Sequence, residues 1–276
     1  MNGSKDIASR YRGKHPIRAL SFDGNGTIFI PSMGRNLATL TLMIAERVLG
    51  RKVNIDGGEF EEYLNRLRID LALSGRMSHR QGTVDYWGDI NAAALNHFGC
   101  ACGMDQGRKI SLKLRGDAVF YTIPGYRKRL IQKVIRKGFG GDGQVRVGRA
   151  FITSSSDRRM LKRILRRYGM ANLFHDIVTP DELGGTEKAG SVFFRKMLDY
   201  TGVDPETTAH IGNSVFKDAA AARLGIWTIL LEGPNSSISC EEVEKLHGAD
   251  SLARIFPARN MADVENILEN RFISVG

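Results

Sequence analysis

Ile17-Arg18-Ala19-Leu20-Ser21-Phe22-Asp23-Gly24-Asn25-Gly26-Thr27 decides how the rest of the chain is read. Its first half is a short, largely apolar run of the kind that forms a buried strand. It stops at an acid followed by two glycines that bracket an asparagine. Glycine lets a backbone approach a ligand closely, and loop amides cradle anionic oxygens. A carboxylate at the C-terminal end of a strand stands where open α/β sheets bind their ligands.

Further short apolar runs follow, at Val145–Thr153, Asp176–Val178, Thr208–Ile211 and Trp227–Leu231. Helical patterns alternate with them at Tyr126–Lys137, Asp157–Tyr168, Ser191–Thr201 and Lys217–Leu224. That alternation predicts an α/β fold, a Rossmann-like parallel sheet core with helices on both faces. From Ser32 to Asp117 the pattern is helical only, at Leu37–Leu49, Phe60–Leu73 and Val84–His97. The interval is too long for a loop. It predicts an inserted α-helical cap subdomain over 32–120, with the core formed by 1–31 and 121–276. The tail, Ala249–Leu268, is expected to close one edge of the sheet.

Polar clusters sit at the ends of these runs. Asp23-Gly24-Asn25-Gly26-Thr27 follows the first strand and Thr153-Ser154-Ser155-Ser156 the second. Lys188 precedes the helix leading to the fourth strand, and Gly212-Asn213-Ser214-Val215-Phe216-Lys217-Asp218 follows that strand. A carboxylate attacks phosphorus to form an aspartyl-phosphate, splitting one hard step into two. A hydroxyl such as Thr153 donates to a phosphoryl oxygen, while a lysine neutralises charge developing in the transition state. Asp23, a backbone carbonyl at Asn25 and Asp218 supply the hard oxygen ligands that Mg²⁺ requires.

Order and spacing resemble the haloacid dehalogenase superfamily: a strand ending in D-x-D-G-T, a strand ending in Thr or Ser, a lysine, then G-D-x-x-x-x-D. Ile123-Pro124-Gly125-Tyr126 is similar to that family's re-entry from a helical cap, and Gly202–His210 to its approach to the last motif. The resemblance covers about Ile17–Ile30 and Thr122–Leu231. It implies that Asp23 is the nucleophile and a metal ligand, that Thr153 binds the phosphoryl group with Ser154 close by, and that Lys188 holds nucleophile and phosphate together. Gly24, Gly26 and Thr27 shape the phosphate cradle, and Asp218 serves the metal. The implied activity is a magnesium-dependent phosphatase acting on a small phosphorylated metabolite.

Two departures bear on that activity. Asn25 stands where the family's general acid/base aspartate stands, and an amide cannot shuttle a proton at neutral pH. General acid–base catalysis is worth roughly 10²–10⁴-fold. Asn213 replaces the first aspartate of the last motif; its amide oxygen still ligates magnesium, with one negative charge fewer. A weakened, binding or regulatory protein on the same fold is therefore the alternative. Carbon–halogen hydrolysis is a third reading, because the family's dehalogenases also lack the second aspartate.

The remaining features are plainer. The net charge of +10 is concentrated. Tyr126–Tyr168 holds 14 Lys and Arg against two acids, +12, so the rest sums to −2. Arg158, Lys162 and Arg166 recur on one helix face, a solvated surface or a contact for a polyanion. Arg76, with His79 and Arg80, lies in a turn-rich stretch between predicted cap helices. A guanidinium there suits a phosphate, beside the simpler reading of a solvated turn. Tyr86 and Trp87 fall on a helical face with Ile90 and Leu95 and read as cap core. Gly138–Gly143 matches G-x-G-x-x-G but follows a helix and precedes a strand, which is the reverse of the dinucleotide-binding context. His97, Cys100 and Cys102 lie too close for a zinc clip. Met1–Pro16 lacks an apolar core and no run reaches the roughly 20 residues of a membrane span. A cytoplasmic location is expected.

Overall fold

The structure, a computed structural model, describes residues 14–31, 37–73, 82–116, 121–140, 146–232 and 238–275. Its strands are β1 (His15–Ile17), β2 (Ala19–Asp23), β3 (Ile30–Pro31), β4 (Tyr121–Thr122), β5 (Arg149–Thr153), β6 (Asp176–Val178), β7 (Thr208–Gly212), β8 (Trp227–Leu231), β9 (Ile255–Ala258) and β10 (Phe272–Ser274). Its helices are α1 (Leu37–Leu49), α2 (Gly57–Leu73), α3 (Thr83–His97), α4 (Met104–Gly116), α5 (Gly125–Arg136), α6 (Arg158–Arg167), α7 (Ser191–Thr201), α8 (Cys240–His247), α9 (Ala249–Leu252) and α10 (Met261–Arg271).

Six strands form one parallel sheet in the order β6-β5-β2-β7-β8-β9. β2 lies in the middle, flanked by β5 and β7, so its end is surrounded by the loops of both neighbours. The strand register sets Asp23 beside Thr153 and Ser21 beside both Phe151 and His210. Side chains two residues apart on a strand share a face. Leu20, Phe22, Ala150, Ile152, Ala209 and Ile211 point into a core shared with α5, α6 and α10. On the other face Phe193, Phe194 and Met197 of α7 pack with Val178, Ala220, Ala221 and Ile226.

Two sequence expectations shift. The strand expected from Val145 begins at Arg149; Val145 itself lies outside the described residues. The helix expected over Lys217–Leu224 is only a 3₁₀ turn, Ala219–Leu224. Its first residues are drawn instead into a loop around the Asp218 carboxylate, which accepts the backbone N–H groups of Asn213 and Ser214 at 2.9 Å each. The tail adds β9 as an edge strand, with α10 against the core.

The four helices α1–α4 stand between β3 and β4, which pair antiparallel through Ile30–Thr122 and Pro31–Tyr121. These helices have apolar clusters of their own. One joins Leu40, Ile44, Phe60, Leu95, Ile110 and Leu114. In the other, Tyr86, Trp87 and Ile90 pack with Leu64, Leu67 and Leu71. α3 and α4 touch backbone to backbone, because a Cβ on Gly107 would lie 2.2 Å from the Gly88 carbonyl oxygen. His97 stacks on Tyr63 at 3.9 Å rather than facing the cysteines.

Candidate active site

Asp23 ends the central strand, and its carboxylate is only 13% exposed. Beyond it the chain doubles back on itself. The Gly24 carbonyl accepts the N–H groups of Ile28 and Phe29, and Gly26 N–H donates to the Phe29 carbonyl at 2.8 Å. Two glycines are needed here. A Cβ on Gly24 would meet Phe29 and Ser154 at about 3 Å, and Gly26, at φ 88°, leaves room for the Asn213 amide, which a Cβ would meet at 2.4 Å. Arg127 at the start of α5 donates to the carbonyls of Gly26 and Thr27. It thereby braces the loop from behind.

Lys188 is buried, and all three of its N–H donors are spent. They reach Asp23 Oδ1 at 2.6 Å, Asp218 Oδ1 at 2.6 Å and the Thr153 carbonyl at 3.1 Å. Burial works to lower its pKa, but the two carboxylates outweigh burial and hold it above the ordinary lysine value. Asp23 experiences the converse. Burial and then repulsion from Asp218 outweigh the help of Lys188, and its pKa is pushed up to about 6. Asp218 is buried too, yet Lys188 and the hydrogen bond from His210 carry its pKa well below the carboxylate range. The shared lysine thus favours the deeper carboxylate and leaves the outer one easier to protonate.

Beneath these groups runs a buried chain that the sequence reading did not include. His210 Nε2 lies 3.0 Å from Asp218 Oδ1, its Nδ1 lies 3.1 Å from Ser21 Oγ, and Ser21 Oγ lies 3.0 Å from Thr153 Oγ1. Burial pushes the imidazole pKa down, so it is neutral. A carboxylate only accepts, so Nε2 carries the proton and Nδ1 accepts from Ser21. Ser21 has then used its proton, and Thr153 Oγ1–H donates to Ser21 Oγ. The signal was available in principle: Ser21 and His210 are polar residues inside otherwise apolar strands, on the same face as Asp23.

Two expected roles can be set against this network. Thr153, expected to donate to a phosphoryl oxygen, is fully buried, and with a neutral His210 its hydroxyl proton is directed to Ser21. The hydroxyl beside Gly24 belongs to Ser154, whose oxygen accepts from Ser156 N–H at 3.2 Å and so keeps its own proton for a ligand. Asp218, expected to ligate the metal, has both oxygens filled. Lys188 and His210 occupy Oδ1, and the N–H groups of Asn213 and Ser214 occupy Oδ2. A carboxylate has about four acceptor positions, and in this arrangement protein groups use all four. A Cβ on Gly212 would lie 2.2 Å from the Asp218 carboxyl carbon, so glycine is what admits this inward pose.

Magnesium has other oxygens available. The Asn213 amide stands 3.0 Å from the Asn25 carbonyl oxygen and 3.3 Å from Asp23 Oδ2. With its oxygen turned inward, the three form a cluster of hard donors. Octahedral magnesium keeps oxygens at 2.0–2.1 Å, placing neighbouring ligands about 3 Å apart. Asp23, the Asn25 carbonyl and Asn213 fit that requirement. Among the described residues there is no group of three His, Cys, Asp or Glu side chains arranged to hold a metal; the donors here are one carboxylate and two amide-type oxygens.

Asn25 Oδ1 is buried with no hydrogen-bond partner among the described residues. Thr27 is buried, with its hydroxyl 3.4 Å from the Asn213 amide. Arg76, His79 and Arg80 lie outside the described residues. From the helices, Trp87 Nε1 donates to the Ser155 carbonyl at 3.2 Å. The backbone N–H and hydroxyl of Thr83 both donate to Asp181, at 3.1 and 3.0 Å. Trp87 is therefore both helical core and a bridge to the loop after β5.

The basic segment is partly used internally. Besides Arg127, Lys133 pairs with Glu265 and Glu269, and Arg158 pairs with Asp176 and Glu182. Among the described residues no feature of the geometry supports the polyanion contact suggested by the charge count. Gly138 and Gly140 take positive φ and seat Phe139 against Ser274 of β10, a purely structural use. Among the described residues no helix is long and apolar enough to cross a membrane.

A family model described as haloacid dehalogenase-like hydrolase matches residues 17–225. Among curated proteins, the haloacid dehalogenase-like hydrolase domain-containing protein 3 of Mus musculus is 30% identical over 118 residues, 42% of this chain and 46% of that protein. The match thus spans less than half the length of that relative. Among solved structures, the HAD-hydrolase YfnB from Bacillus subtilis, bound to magnesium, has a TM-score of 0.66 at 15% identity, covering 92% of this chain and 99% of the other. A predicted phosphoglycolate phosphatase from Haemophilus somnus has a TM-score of 0.57 at 14% identity, covering 91% and 97%. L-2-haloacid dehalogenases also match. Likenesses at such identities carry the fold.

Proposed function

This chain belongs to the haloacid dehalogenase-like hydrolase family, and we propose that within it the chain is a magnesium-dependent phosphatase acting on a small phosphorylated metabolite. The observation that carries the reading is the Asp23 carboxylate. Lys188 holds one of its oxygens, and the other faces a loop of glycines and amide-type oxygens suited to a phosphoryl group and its counter-ion.

In this mechanism an Asp23 oxygen attacks phosphorus, the bond from phosphorus to the ester oxygen breaks, and an aspartyl-phosphate forms. Water then cleaves the acyl phosphate, releasing phosphate and restoring the carboxylate. Lys188 keeps Asp23 ionised and oriented, and the Ser154 hydroxyl with the loop amides receives the phosphoryl oxygens. Asp23, the Asn25 carbonyl and Asn213 would hold magnesium, which when bound would supply charge neutralisation on the phosphoryl oxygens. Asn25 cannot protonate the leaving oxygen. Its unpartnered Oδ1 accepts a hydrogen bond from water or a substrate hydroxyl, which orients without transferring a proton. Turnover is consequently slow with poor leaving groups and faster with an acidic leaving group such as a phenol. The helices α1–α4 act as the cap, and their contacts at Ser155 and Asp181 lie beside the site.

Asp23→Asn abolishes phosphate release from an aryl phosphate in the presence of magnesium; undiminished release would remove the covalent route. Asn25→Asp restores the missing proton shuttle and raises turnover on alkyl phosphates by about 10²-fold. A haloacid dehalogenase is the competing reading within the family, since displacement of halide from carbon needs no cation. Halide release from 2-haloacids unaffected by a chelator would favour it.

A further inference from the structure

The Asn213 amide lies against the nucleophile, and an amide carries both an acceptor for a cation and donors for a carboxylate. Oxygen inward, it completes the cluster of donors for magnesium described above. Nitrogen inward, it donates its two N–H groups to the Asn25 carbonyl at 3.0 Å and to Asp23 Oδ2 at 3.3 Å. An aspartate in its place would set a second carboxylate against that of Asp23, with no proton between them. Its approach is permitted by Gly26, and its backbone is fixed by the N–H it donates to Asp218. Turning the amide about its Cβ–Cγ bond therefore exchanges its two ends without moving the loop.

The charges of the site point the same way. Asp23 and Asp218 share the buried cation Lys188, His210 is neutral, and Lys217 adds a further positive field at Asp23, so these residues carry at most one net negative charge. That is weak attraction for a bare dication, which must also displace two hydrogen bonds to the amide. A phosphoryl dianion entering with the metal supplies the missing charge. We propose that Asn213 is a clamp that closes the metal-free site over Asp23, and that magnesium enters tightly only together with a phosphoryl anion. The loading half of this proposal rests on the magnesium-dependent reading above. The clamp half does not.

The test compares the full chain with Asn213→Asp and Asn213→Ala, by thermal melting in chelator and by calorimetric titration with magnesium alone and with magnesium plus inorganic phosphate. Asn213→Ala loses the two donors; Asn213→Asp loses them and adds repulsion. In chelator the melting order is wild type above Ala above Asp, with steps of about 2–4 °C. For magnesium alone the order of affinity is Asp above wild type above Ala, the first step about tenfold. Phosphate raises the wild-type affinity for magnesium at least tenfold more than it raises that of Asn213→Asp.

A residue with a merely structural role moves melting and affinity in the same direction, so the crossed orders are the signature. Equal or higher melting of Asn213→Asp in chelator overturns the clamp. Magnesium affinity of the wild type unchanged by phosphate overturns the coupled entry. If the melting order holds but neither protein binds magnesium even with phosphate, the clamp stands and the magnesium-dependent reading falls. Asn213 is exposed at the mouth, and the alanine variant adds no charge, so one variant remains informative if the aspartate variant folds poorly.

Discussion

The end of the central strand and the four helices inserted after it are built on opposite terms. At the strand end, Asp23, Lys188, Asp218, His210, Ser21 and Thr153 form one buried polar network in which nearly every donor has a single available partner. Removing any member leaves a charge or dipole stranded in low dielectric. The helices are held by apolar clusters that tolerate volume-conserving change, and they reach the catalytic loops through a few polar contacts, those of Trp87 and Thr83. The polar network is thus fixed rigidly, while the inserted helices are joined to its loops by few polar contacts. A scaffold of that kind keeps one reaction while its specificity varies.

The comparison breaks most directly at Lys188. Lys188→Met strips the cation from two buried carboxylates and should cost about 3–5 kcal/mol of stability, read by denaturant unfolding, with turnover lost. Loss of turnover at unchanged stability would mean that the network is not what holds the strand end together.

A smaller effect is expected with pH. The nucleophilic form of Asp23 is the carboxylate, present above its pKa, which burial pushes up to about 6. At limiting magnesium, kcat/KM should fall about tenfold per unit as pH drops below 6. Saturating magnesium favours the ionised form, so the acid limb moves to lower pH. An acid limb near 4 that ignores magnesium would show that Asp23 does not feel its burial.

The smallest effect belongs to the helices. Thr83→Val removes the hydroxyl bond to Asp181 and should raise KM a few-fold for a compact phosphate ester, with melting within about 0.5 kcal/mol of wild type. A collapse in kcat comparable with that of Lys188→Met would erase the distinction between the two regions.

Much of the core was legible in the chain. The strands Asp176–Val178 and Trp227–Leu231 and the helix Ser191–Thr201 have the bounds read from apolar periodicity. Asp23 and Lys188, both singled out, meet at 2.6 Å. What was not legible depends on pairing across strands. His210 and Ser21 are unremarkable polar residues until the register of β2 and β7 sets them side by side. Arg127 counted toward a basic surface, yet it turns inward because two loop carbonyls lie within its reach.

The sequence by itself determined the alternating α/β order, the family resemblance and the residue types at Asp23, Asn25, Lys188 and Asn213, because these follow from local pattern and spacing. Only the tertiary structure decided how those residues divide the work. Hydrogen-bonding capacity is finite, and which groups exhaust it depends on neighbours far apart in the chain. Asp218 is filled by Lys188, His210 and two backbone amides, so it anchors the lysine. Thr153 is committed to Ser21, which leaves Ser154 beside Gly24. Asn213, a substitution that reads in one dimension as a weakened motif, stands in three dimensions where an amide closes the site that an aspartate would leave open.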